Sequence, residues 1–102
     1  MECEATQHAY KRAKERLKWK PKTLDRMMDL AMEKGICHKD TTGRLNKYLF
    51  KLWRRNRSVN NIRIYGENVY FFSKNRLITI YRLPTELIKY LKNVKTQNND
   101  HE

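Results

Sequence analysis

The segment IRIYGENVYFFSKNRLITIYRL, residues 62–83, constrains the fold more than any other part of the chain. Three short runs rich in Ile, Val, Tyr and Phe are separated by Gly66-Glu67 and by the polar stretch Ser73 to Arg76, the pattern of an antiparallel meander. A two-residue turn at Gly66-Glu67 sets Tyr65 opposite Asn68, Ile64 opposite Val69, Arg63 opposite Tyr70 and Ile62 opposite Phe71. A loop of two or four residues at the second turn sets Phe72 opposite Leu77. With strict alternation, Ile62, Ile64, Val69, Phe71, Ile78 and Ile80 share one face, and Arg63, Tyr65, Tyr70, Phe72, Leu77, Thr79 and Tyr81 share the other. The first face is hydrocarbon. The second is mostly aromatic and carries an arginine, which suits any of three uses: a second packed layer, a surface on which bases stack on Tyr65, Tyr70, Phe72 and Tyr81 with Arg63 beside phosphate, or a protein interface.

The remainder of the chain reads as helix. Ala5, Ala9, Ala13 and Leu17 recur every fourth position, which predicts a first helix from Glu4 to Lys18, ended by Pro21, with a narrow apolar stripe of small residues. Thr23 suits the N-cap of a second helix with Leu24, Met27, Met28 and Ala31 on one side and Gly35 at its C-terminal cap. A third helix is expected from Thr42 to Asn56, where Leu45, Tyr48, Leu49, Leu52 and Trp53 follow the helical repeat closely. Pro84 opens a last helix containing Leu87, Ile88 and Leu91. The expected fold is therefore α+β: three N-terminal helices, a three-stranded antiparallel meander and a C-terminal helix. One domain over residues 1–95 carries a single core of Leu45, Leu49, Leu52, Trp53, Ile62, Ile64, Val69, Phe71, Ile78 and Ile80, and residues 96–102 form a flexible tail.

Charge narrows the choice of partner. Lys and Arg number 23 against 11 acidic residues, a formal net charge of +12, which points to a polyanion, DNA or RNA first and an acidic protein second. Residues 41–58 hold six basic side chains and no acidic one. Arg44, Lys47, Lys51, Arg54, Arg55 and Arg57 are thus the candidate phosphate contacts. An ordinary solvated helix mixes signs, because opposite charges four residues apart stabilise it. The excess charge as a whole sits on the first helix, the third helix and the meander, which would be neighbours if the footprint were single.

Other classes are disfavoured. No apolar run approaches the length of a membrane span, and the N-terminus MECEATQHAY has no signal-like apolar stretch, so a cytoplasmic protein without membrane contact is expected. Cys3 and Cys37 lack metal-ligand spacing, and His8, His38 and His101 are scattered, so neither a metal nor another cofactor is expected.

His8 invites a catalytic interpretation. In HAYKRAKER it stands four residues before Arg12, with Glu15 and Arg16 one turn further, so a base and cations share one helical flank. Such a histidine could activate a ribose 2′-hydroxyl while arginine stabilises the charge that develops on phosphorus. The N-terminal HAYKRAKERL followed by a meander ending in LITIYRL resembles the small toxin-type ribonucleases of the barnase, colicin-nuclease and RelE group. That resemblance implies a helix packed on an antiparallel sheet, with His8, Arg12 and Arg16 on the helix and Thr79, Tyr81 and Arg82 on the last strand acting on RNA without metal. The long second and third helices depart from that layout. The small, basic character also resembles that of phage or mobile-element proteins, some of which inhibit host nucleic-acid enzymes. A winged helix is a rival architecture, with three helices before a hairpin, although the link from Gly35 to Thr41 is long for it and the meander is too apolar for a simple wing. Nucleic-acid binding ranks first, ribonuclease second and inhibitor third.

Overall fold

The computed structural model describes residues 3–91; the tail expected over residues 96–102, and the ends of the domain expected over 1–95, lie outside the described residues. The elements are β1 (Glu4–Ala5), α1 (Gln7–Leu17), α2 (Pro21–Lys34), β2 (Ile36–Cys37), a 3-10 turn (His38–Asp40), α3 (Gly43–Arg54), β3 (Asn61–Tyr65), β4 (Asn68–Ser73) and β5 (Arg76–Arg82). A fourth helix, α4, follows at residues 85–91. The fold is α+β, as expected, but the sheet has five strands in the order β1-β5-β4-β3-β2. The predicted meander is its centre; β1 adds in parallel to β5 and β2 antiparallel to β3.

The first correction lies at the N-terminus. Residues placed in the first helix by their periodicity, Glu4 and Ala5, instead extend the sheet: the N–H groups of Glu4 and Thr6 donate to the carbonyls of Asn75 and Leu77, each at 3.0 Å. Thr6 then turns the chain into α1, its hydroxyl accepting from the Ala9 N–H at 3.0 Å and donating to the Ile78 carbonyl at 3.2 Å. The helix ends at Lys18, which takes a left-handed conformation (φ 60°), before Pro21 is reached. Pro21 opens α2 as its first residue, so Thr23 lies inside that helix and is not its cap. Gly35 does cap α2, but for reasons of space: its φ is −68°, and a Cβ there would lie 2.3 Å from the Ala31 carbonyl oxygen and 3.1 Å from the Arg63 side chain.

The meander register between β3 and β4 is as expected in all four pairs, with Gly66 at φ 63° in the turn. Phe72 also pairs with Leu77. Beyond that pair the expectation fails. A β-bulge leaves Ile78 without a partner between Leu77, opposite Phe72, and Thr79, opposite Phe71. One extra residue reverses the facing of everything after it, so Ile80 lies on the face of Tyr70 and Phe72, opposite to Ile64, while Thr79 and Tyr81 lie on the face of Phe71.

Two cores result, one on each side of the sheet. The face of Ile62, Ile64, Val69 and Phe71 packs against Leu45, Leu49 and Leu52 of α3 and Leu87 and Leu91 of α4. The face of Tyr70, Phe72, Leu77 and Ile80 is covered by Ala9 and Ala13 of α1 and Leu24, Met28 and Ala31 of α2. Three layers are formed, helices on both sides of one sheet. Tyr70 and Phe72 are 0% exposed, so the surface offered for base stacking is the inside of the second core. The alanine stripe of α1 lets that helix approach β5 closely.

The Tyr70 hydroxyl is buried without a hydrogen-bond partner among the described residues, and burial pushes its pKa well above the ordinary tyrosine value, with the nearby Asn68 side chain opposing the rise. Tyr70→Phe is therefore expected to leave stability unchanged or raise it by up to about 1 kcal/mol, since an unsatisfied buried hydroxyl costs about that or more. Urea denaturation checks this. A loss greater than about 1 kcal/mol would mean the hydroxyl is bonded to Asn68 in solution.

Candidate nucleic-acid interface

α3 is positioned by its periodicity. Leu45, Leu49 and Leu52 are buried, and everything opposite them is exposed: Arg44, Lys47, Phe50, Lys51, Arg54 and, just past the helix, Arg55 and Arg57. The loop after the helix is tied down by two bonds. Asn56 Nδ2 donates to the Leu52 carbonyl at 3.0 Å, and the Trp53 indole N–H donates to the Val59 carbonyl at 2.9 Å. Arg55 and Arg57 are therefore carried on backbone fixed to α3, so the six cations predicted to contact phosphate lie on that helix and on the loop tied to it.

Phe50 was not singled out by the sequence pattern, yet it is the one large apolar side chain left exposed among the described residues, at 50%. Its helical neighbours at three and four positions are Asn46, Lys47, Trp53 and Arg54. The Phe50 and Trp53 rings lie 5.8 Å apart with planes inclined by 30°. Both line a groove of about 640 Å³, together with Cys37, His38 and Lys39, Asn46, Asn60 just before β3, and Asn61, Ile62 and Arg63 at its start. The signal was present in the sequence. Phe50 falls outside the Leu45, Leu49, Leu52 stripe, on the side where every charged residue is basic.

The groove walls are held by their own hydrogen bonds. Asn46 Nδ2 donates to the Thr41 carbonyl at 3.2 Å and the Thr41 hydroxyl at 3.1 Å, and more weakly to the His38 carbonyl at 3.4 Å, fastening the 3-10 turn to α3. Asn60 Oδ1 accepts from the Lys74 N–H at 2.9 Å, which supports Lys74 in its left-handed turn conformation. Arg63 donates to Asn61 Oδ1 at 3.0 Å and to the Met32 carbonyl at 3.2 Å. Its charge is thus partly spent on closing α2 against β3. Tyr65 is half-buried against the α1/α2 core, so of the proposed stacking residues on the sheet none presents an open ring face comparable to Phe50.

The second set of candidates lies on α1, in the layer on the opposite side of the sheet from α3. Arg12 Nε donates to His8 Nε2 at 3.4 Å and Arg12 pairs with Glu15 at 3.3 Å. Arg16 reaches the unpaired edge of β5, donating to the Ile80 carbonyl at 2.8 Å with its guanidinium 4.5 Å from the centre of the Tyr81 ring. Tyr48 of α3 is close by: burial raises its pKa, Tyr81 adds to the rise and Arg16 opposes it. Arg16 and Arg82 line a hollow of about 370 Å³ with Lys18, Trp19 and Glu67, where Arg82 pairs with Glu67 at 3.3 Å. The structure thus brings Arg16, Tyr81 and Arg82 together. It leaves His8 two helical turns away, about 12 Å along the axis from Arg16, and it buries Thr79, 3% exposed, on the α3 side. The first helix, the third helix and the meander would be neighbours if the footprint were single; Arg12 and Lys51 belong to opposite layers, and α1 comes near α3 at the sheet edge, where Arg16 lies over Tyr81 beside Tyr48.

No known protein family, curated protein or solved structure matches this chain. Among the described residues no group of three or more His, Cys, Asp or Glu side chains could hold a metal ion, and no helix is long and apolar enough to cross a membrane.

Proposed function

We propose that the protein binds nucleic acid through α3 and the loop that follows it. The observation that carries this reading is the solvent side of α3, where Arg44, Lys47, Lys51 and Arg54 are joined by no acidic residue and an exposed Phe50 stands beside Lys47 and Arg54. Unbalanced charge on one fixed element suits a phosphate backbone, and an exposed ring within it suits a base. A first test is anisotropy with labelled mixed-sequence oligonucleotides across a range of salt. The logarithm of the affinity is expected to fall linearly with log salt, with a slope of several units. A flat salt response would remove the phosphate backbone as the ligand.

A second reading, metal-independent RNA cleavage, is favoured by one feature: His8 and Arg12 are in contact on the same flank of α1 as Arg16. In this scheme His8 accepts the 2′-hydroxyl proton, the 2′-oxygen attacks phosphorus, Arg12 stabilises the phosphorane, and the P–O5′ bond breaks as the leaving 5′-oxygen takes a proton from the His8 imidazolium or from water. The product would carry a 2′,3′-cyclic phosphate. On the binding reading, cellular RNA incubated with the protein in EDTA stays intact. Cyclic-phosphate ends that form with the native protein and vanish with His8→Ala would establish the second reading instead.

A further inference from the structure

We propose that the groove beside Phe50 receives an unpaired base, so that the ligand of the α3 surface is single-stranded nucleic acid. This rests on the reading of α3 as the phosphate-contacting element and goes beyond it in naming the substrate class. A ring exposed on a helix surface can contribute to binding mainly through its faces. In a duplex every base already has both faces stacked on its neighbours, and an aromatic side chain entering the major groove meets only edges and thymine methyls. In a single strand the base faces are open, and stacking on an aromatic ring tolerates any sequence.

The surroundings of Phe50 fit a base in three respects. Trp53 and Ile62 extend the apolar surface into the groove, giving a base somewhere to go once it leaves the strand. Two asparagines that line the groove, Asn46 on α3 and Asn60 just before β3, keep hydrogen-bonding capacity outside the bonds that hold the walls: among the described residues, Asn46 is engaged through Nδ2 and not Oδ1, and Asn60 through Oδ1 and not Nδ2. Asn46 supplies an acceptor and Asn60 a donor, the combination that a base edge carrying both can satisfy. Finally, Lys47 and Arg54 flank Phe50 along the helix, and Lys39 also lines the groove, so the phosphates on either side of an inserted base would have cations to meet. The structure keeps the walls in place before any ligand arrives, which lowers the ordering cost of binding.

The deciding experiment compares the native protein with Phe50→Ala and Phe50→Trp, using twelve-nucleotide mixed-sequence single strands of RNA and of DNA and the matching duplexes, at one salt concentration and then across a salt series. Phe50 is exposed, so neither substitution disturbs a core. Phe50→Ala is expected to weaken single-strand binding about tenfold or more, the loss of one stacked base. Duplex affinity and the salt slope should stay as they were, because no charge is removed, and Phe50→Trp should restore single-strand binding. The RNA and DNA arms tell which strand is preferred. Single-strand affinity that is unchanged in Phe50→Ala, or that falls no more than duplex affinity, would overturn the proposal while leaving the α3 phosphate contacts standing. Native protein that binds neither form would overturn both.

Discussion

Phe72→Ala is expected to destabilise the protein by about 3 to 5 kcal/mol, the range for deleting a fully buried aromatic ring. That is a large part of the roughly 5 to 15 kcal/mol that holds a domain together. Phe72 is 0% exposed in the central strand and lies parallel to Tyr70, with planes 13° apart and ring centres separated by 6.4 Å. Above it sits the α1/α2 layer, with Ala9 and Ala13 of α1 and Leu24, Met28 and Ala31 of α2 buried in it. How far Leu24 and Met28 relax into the space left by the ring sets where in that range the cost falls. Leu49→Ala in the α3-side core should cost about 2 to 5 kcal/mol by the same mechanism. Urea denaturation reads both as lower midpoints with little change in slope. A loss below about 1 kcal/mol for Phe72→Ala would mean that α1 and α2 do not seal this face in solution. It would also make the aromatic face a candidate binding surface again.

Much of the sheet was legible because side-chain alternation has a period of two and Gly66 fixes the turn. The same rule misled at Ile78, since a bulge leaves no local signature: LITIYRL alternates as well with the bulge as without it. The bulge becomes understandable only with both layers present. It brings Ile80 into the α1/α2 core and puts Tyr81 at the sheet edge, where its ring meets Phe71 edge-on at 5.2 Å and lies under Arg16. That both faces would be covered was itself written in VYFF, four consecutive large apolar residues in the middle strand, all of them buried. The arginine and tyrosines around them suggested an open surface, yet Arg63 and Tyr65 lie near the margin of the layer and Tyr70 is inside it. The short strands β1 and β2 were beyond reach. Two residues carry no periodicity, and the alanine repeat of α1 runs on through Ala5.

The candidate site divides along the same line. The cations of α3 could be assigned from sequence because a helix with six buried or half-buried positions on one side leaves the remainder to solvent. The groove could not be assigned, because its walls come from β2, the 3-10 turn, α3 and β3, which meet only in the folded chain. Nor could the separation of α1 from α3, since nothing local states which face of a sheet a helix will cover.

That separation makes a second large effect measurable. Replacing Lys47, Lys51, Arg54 and Arg55 together by Ala is expected to lower the slope of log affinity against log salt by up to about 3 units on a single strand, at about 0.7 for each phosphate no longer neutralised. By the same slope, the disadvantage of the variant should grow by up to several hundred-fold as salt falls from about 1 M to 0.1 M. The loss should be alike for all sequences, because phosphate contacts position a strand without reading it. Alanine is a good helix former, and the four side chains are exposed, so α3 should persist; far-UV circular dichroism checks that. Net charge alone would also weaken binding, and a matched variant separates the two causes. Lys11, Lys14, Lys20 and Lys22 are exposed on the α1/α2 layer, across the sheet from α3. Their replacement by Ala takes the formal charge from +12 to 12 − 4 = +8, as the α3 variant does. If α3 holds the phosphates, the second variant keeps nearly the native slope. Equal losses from the two variants would mean that the strand responds to the charge of the whole molecule and that α3 is not its docking surface.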